Sequence, residues 1–123
     1  GDIDIAVFEN HGTMKLYENN TGSGSGKHFV SMRLTGRAPA TEAIGAKVTV
    51  VADVNANGVI DAGETQVRAV AANSNYNSQN STDIHFGLGN ASIIKTLRVE
   101  WPDGFVQEFA NQAVDVFSIV AQP

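Results

Sequence analysis

Twelve consecutive residues, Asp53-Val54-Asn55-Ala56-Asn57-Gly58-Val59-Ile60-Asp61-Ala62-Gly63-Glu64, carry oxygen-bearing side chains at loop positions 1, 3, 5, 9 and 12, with glycine at position 6. That is the spacing of a calcium loop. A chain curling round a hard cation turns every second residue inward, and glycine permits the sharp reversal at Gly58 that lets Val59 offer its carbonyl. Glu64, arriving last, closes the shell with two oxygens. The expected Ca²⁺ ligands are therefore Asp53, Asn55, Asn57, Val59, Asp61 and Glu64, with Ile60 as the apolar anchor to the core. The metal-free alternative is a β-turn rich in Asn and Asp, residues that favour turns without any ion. With asparagine at positions 3 and 5, only three carboxylates face the ion. That places the affinity at the weak end, roughly 10⁻⁵ to 10⁻³ M, where a site fills outside the cell and stays empty in cytosol.

Other side chains suggest less. Tyr76 lies among Asn and Ser residues, where an amphipathic ring could stack on a sugar or meet a protein partner, and Gln79 stands nearby as a binder or a loop brace. Trp101 shares strand parity with Leu97 and Val99, so a core position competes with a ligand-stacking one. Ser81, Asp83 and His85 invite a hydrolase reading, yet residues two apart on one strand are about 7 Å apart, and there is no GxSxG elbow. The chain is expected not to be an enzyme, and His85 to be a structural histidine.

The elements that must hold these residues follow a period of two from end to end, with no apolar stripe at helical spacing. The expected fold is all-β, an antiparallel β-sandwich of jelly-roll or Ig-like type, with the calcium loop inserted in a hairpin. Residues 3–7 and 14–17 alternate around the turn Asn10-His11-Gly12 as a first hairpin within residues 1–19. A Gly/Ser linker occupies residues 20–27. The sandwich then spans residues 28–123, with strands expected at 28–35, 46–52, 65–72, 83–88, 93–101, 105–109 and 115–120. Trp101-Pro102-Asp103-Gly104 is expected to turn as a two-residue hairpin corner.

Composition narrows the partners. The 123 residues hold 8 Lys and Arg against 13 Asp and Glu, a formal charge of −5, with the cations scattered singly. A phosphate-binding groove needs clustered positive charge, so no nucleic acid is expected. No apolar run approaches the ~20 residues of a membrane span. Cysteine is absent, which excludes thiol catalysis and disulfide bracing.

Four motifs in order carry a resemblance. Ala43-Ile44-Gly45-Ala46-Lys47-Val48 resembles an AIGA-[RK]-V signature, and Asn75-Tyr76-Asn77-Ser78-Gln79-Asn80-Ser81 resembles a YxSQ motif. His85-Phe86-Gly87-Leu88-Gly89 and Val99-Glu100-Trp101-Pro102-Asp103-Gly104 complete the set. Over about residues 28–120 the chain resembles an ASPIC/UnbV domain. The resemblance implies a non-catalytic module in adhesion or matrix proteins, secreted, extracellular or on the cell surface, bacterial in the first place. Such domains usually follow FG-GAP/VCBS propeller repeats, and residues 1–19 look like the tail of one blade. Asp4 would be the last ligand of that blade's calcium loop, whose earlier ligands would precede residue 1, so this half-site is expected to hold no metal. Family members commonly make a short turn after the AIGA strand, where this chain has the calcium loop. The expected partner is an extracellular protein or glycan, alongside neighbouring propeller repeats. The alternative is a carbohydrate-binding module of a secreted polysaccharide-active enzyme.

Overall fold

A computed structural model describes residues 3–21, 24–72 and 78–123. Alternation becomes strand wherever one row of side chains can be buried, and nine strands form among the described residues. The first two, β1 (Ile5–Phe8) and β2 (Met14–Tyr17), pair antiparallel as the expected hairpin. Both of its faces are exposed: Ala6, Phe8, Met14 and Leu16 form an apolar one, and Ile5, Val7 and Tyr17 lie with Lys15 on the other.

The remaining seven strands are β3 (His28–Thr35), β4 (Lys47–Val51), β5 (Thr65–Ala69), β6 (Ile84–Gly89), β7 (Ile94–Glu100), β8 (Val106–Gln112) and β9 (Val116–Ala121). They make a three-stranded sheet in the order β6-β3-β9 and a four-stranded sheet in the order β5-β4-β7-β8. Val30, Met32 and Leu34 of β3 and Ile84, Phe86 and Leu88 of β6 point inward. They meet Val48 and Val50 of β4 and Ile94, Leu97 and Val99 of β7 in one continuous core. The β-sandwich is as expected, but not antiparallel throughout. β9 runs parallel to β3, from Val30 opposite Val116 to Thr35 opposite Ala121. Inward and outward residues alternate identically in parallel and antiparallel pairs, so the sequence pattern cannot distinguish them.

The turn after β7 also differs in detail. Trp101 N–H donates to Phe105 O and Gly104 N–H to Trp101 O, closing a loop of three residues in which Gly104 has φ 88°. A left-handed glycine in third position relaxes a type I turn into the hairpin twist, which two residues would not do here.

Candidate functional site

The twelve-residue loop joins β4 to β5, whose register puts Val51 opposite Thr65, so it is the long connection of a hairpin. Its base is closed by Ala52 N–H donating to Glu64 O at 3.3 Å. From there the side-chain oxygens gather the backbone. Asp53 accepts from Asn57 N–H at 3.0 Å and from Gly58 N–H at 2.6 Å. Asn55 Oδ1 accepts from Asn57 N–H at 2.9 Å, and Asn57 Oδ1 from Val59 N–H at 2.8 Å. Glu64 takes one amide on each oxygen, Asn55 N–H at 3.1 Å and Asp61 N–H at 2.8 Å. The reversal falls where the spacing puts it, with Gly58 at φ 87°. An L side chain is strained there.

Glu64 is the one buried charged residue among those described, at 7% exposure. Burial of a carboxylate is tolerated when its oxygens are hydrogen-bonded. Asp61 sits at the open side, accepting from Asn55 Nδ2 at 3.0 Å and Asn57 Nδ2 at 2.6 Å. Those two amides, Asn55 first, hold its carboxyl below the ordinary carboxylate range. Among the described residues no three acidic or histidine side chains converge as a metal-holding group. Here the amides of Asn55 and Asn57 stand between the acids, so the loop's five oxygen-bearing side chains form one network through them. Ile60 is half-buried.

The loop is also fastened to the other sheet. Asn90 N–H donates to Val54 O at 2.9 Å. Gly89, at φ 56°, leaves room for this approach, since a Cβ there would fall 2.6 Å from Val54 Cγ1. The turn after β6 therefore braces the loop after β4.

Two of the three expected ligand-facing residues, Gln79 and Trp101, lie among those described. Tyr76 falls at 73–77, outside the described residues. Gln79 is exposed. Trp101 is only 3% exposed and donates its indole N–H to Gln107 Oε1 at 2.6 Å, so the core reading of its parity prevails over the stacking one. Asp4 accepts from Asn19 N–H at 2.9 Å, tying the base of the first hairpin. The AIGA residues make a turn: Ala43 and Ala46 are buried, and Gly45 N–H donates to Val70 O at 2.9 Å.

A second group assembles on the outer face of the three-stranded sheet. Ser31 of β3 is directly opposite His85 of β6, and Ser31 Oγ and His85 Nδ1 share a hydrogen bond of 2.9 Å. The His85 ring stacks on Phe29, centroids 5.5 Å apart and planes within 15°. Desolvation, with Arg68 nearby, pushes the imidazole below its ordinary pKa. Arg33 grips Asp83 with two bonds of 2.7 and 2.9 Å, which holds that carboxyl low, and its guanidinium lies 5.9 Å over the Phe117 ring. At one end, His28 Nδ1 and Asp115 Oδ2 are 2.6 Å apart. The Asp115 carboxyl is held low by that contact. The sequence carried one signal for this face: Phe29, Ser31, Arg33, His85, Phe117 and Ile119 all have the parity opposite to the buried rows.

A family model described as ASPIC and UnbV matches residues 36–123. A comparison with curated proteins finds no match. β3 precedes the matched segment, yet it is the central strand of its sheet.

Proposed function

The chain belongs to the ASPIC and UnbV family, and from that premise we propose that it is a non-catalytic, calcium-braced recognition module of a secreted or surface protein. The supporting observation is the loop at 53–64, where Asp53 and Glu64 gather backbone N–H groups from across the loop and Gly58 makes the left-handed reversal that the spacing requires. The donor set is all oxygen, which suits a hard cation. Asp53, Asn55, Asn57, Asp61, Glu64 and the Val59 carbonyl would hold the ion. For the two asparagines this needs the amides to turn, exchanging for the ion the bonds that their Oδ1 atoms now accept from Asn57 N–H and Val59 N–H. Bound calcium supplies charge neutralisation and rigidity, not reactive chemistry. Because Val54 is tied to the turn after β6, a stiffer loop stiffens the link between the sheets.

Two further features support a module without catalysis. Ser31 meets His85, but Asp83, the nearest acid along that strand, is occupied by Arg33, and the imidazole has no carboxylate partner among the described residues. The first hairpin, with exposed apolar side chains on both faces, suits two strands of a larger sheet, in keeping with the tail of an FG-GAP/VCBS-type repeat.

Thermal unfolding in Ca²⁺ against chelator tests the calcium reading. Binding to the folded state alone raises Tm by an amount set by the ratio of free ion to Kd. The expected result is a rise at millimolar Ca²⁺ that is absent in Mg²⁺ and absent in Glu64→Gln. Identical Tm values for verified metal-free and calcium-loaded protein would falsify it.

A further inference from the structure

The outer face of the three-stranded sheet contains a glycine beside the point where the β3–β6 register shifts, between His28 and Phe29. Gly87 lies inside β6, opposite Phe29, and its φ is outside the left-handed region. A Cβ built there meets no atom within 4 Å. Glycine within a strand weakens it and marks a bulge or a place where a ligand or another backbone approaches closely; here the bulge lies at the strand end, and the space over Gly87 is open besides. In many sheets a cross-strand aromatic ring folds over such a glycine and repairs the gap. Phe29 does not, because its ring stacks on His85 instead. The gap beside the ring stays open.

We infer that this face binds a neutral saccharide, with Phe29 and His85 as the stacking surface, Gly87 as the hollow admitting the sugar ring, and Ser31 and the Arg33–Asp83 pair as hydroxyl partners. The inference rests on the chain being a recognition module and names the chemistry it recognises.

Charge selects the ligand class. Arg33 is neutralised by Asp83, and His28 faces Asp115. Arg68 and Asp4 stand on different walls of the adjoining cleft, a space of about 1170 Å³ between the first hairpin and this face. Apart from the paired Arg33, Arg68 is a single cation among the described residues of this face and cleft and not part of a track, and a chain of charge −5 opposes a polyanion. What the face offers is a ring stack beside donors and acceptors fixed in place. A pyranose has the matching character, one apolar C–H face and hydroxyls that both donate and accept. From Phe29 to Arg33 the β3 row spans roughly 13 Å, the reach of a short oligosaccharide.

The test uses the full chain in Ca²⁺ on an array of neutral glycans. Native affinity gels cast with laminarin, xyloglucan, hydroxyethylcellulose or polygalacturonate accompany it. Retention by at least one neutral glycan is expected. Gly87→Thr, which fills the hollow with a good strand former, should weaken that retention roughly tenfold while Tm holds or rises. Asp83→Asn should weaken it as well, with the fold checked by circular dichroism. Silence across the neutral array, retention by polygalacturonate alone, or unchanged binding in Gly87→Thr overturns the inference. If calcium still raises Tm in a glycan-silent protein, only the ligand assignment falls; if neither effect is seen, the module reading falls with it.

Discussion

The sandwich has two outer faces built on the same alternation, and they differ in what occupies the outward row. On the four-stranded sheet the row mixes polar and aliphatic side chains and has no aromatic ring: Thr49, Thr96 and Lys47 beside the exposed Val67 and Val106, with Lys47 3.5 Å from Glu100 and Glu100 bonded to Arg98 along its own strand. On the three-stranded sheet it holds Phe29, His85, Phe117 and Ile119, with Phe117 54% and Ile119 69% exposed. Folding needs only the inward rows, which are equally well buried under both sheets. The exposed Phe117 and Ile119 and the half-buried Phe29–His85 pair add little to that core, so their presence on one face points to something outside it.

The comparison sharpens first at the scale of the core. Phe86→Ala removes a ring with 0% exposure and is expected to cost about 3 to 5 kcal/mol by urea denaturation. Phe117→Ala removes a ring of the same size from the outer face and should cost less than about 1 kcal/mol. Near-equal losses would mean that the three-stranded face is covered in the free protein and would break the comparison.

Acid comes next, acting on the three-stranded side through ion pairs and on the β4–β5 loop through the amide-held Asp61. Asp83 and Asp115, both on the three-stranded side, have folded pKa values below the ordinary 3.8, held there by Arg33 and His28. A depressed carboxylate contributes stability that is complete above its unfolded pKa and is lost as pH falls through the folded one. The urea midpoint should therefore drop between about pH 5 and pH 2, and Asp115→Asn should flatten that drop. An unchanged slope in the variant would exclude the His28–Asp115 contact as a source.

The smallest effect belongs to the four-stranded face. Lys47→Ala breaks an exposed ion pair with Glu100 and should shift stability by less than about 0.5 kcal/mol, diminishing further in high salt. A larger, salt-resistant loss would show that this face is an ordered network and not a solvated surface.

What could be read from the sequence follows the range of each interaction. The calcium-loop spacing lies within twelve consecutive residues, and its turns and side-chain bonds depend on neighbours two to nine positions away. The strands were legible for the same reason, since period two is a local property. The aromatic face was not, because Ser31 meets His85 across a separation of 54 residues, and nothing near His85 announces Phe29. Trp101 illustrates the converse: its parity with Leu97 and Val99 already placed it inward, and Gln107 then supplied the partner its indole needs. The direction of β9 is invisible to any pattern along one strand.

That direction has a mechanical meaning. β3 and β9 lie side by side and point the same way, so chain that enters at His28 leaves past Ala121 at the opposite end of the sheet. Tension carried through the flanking chain pulls β3 by its start and β9 by its end, in opposing directions along a shared ladder. The rungs from Val30–Val116 to Thr35–Ala121 are then loaded together in shear, where an antiparallel terminal pair would unzip one rung at a time. A module joined in line through these two strands resists stretching with its whole central ladder.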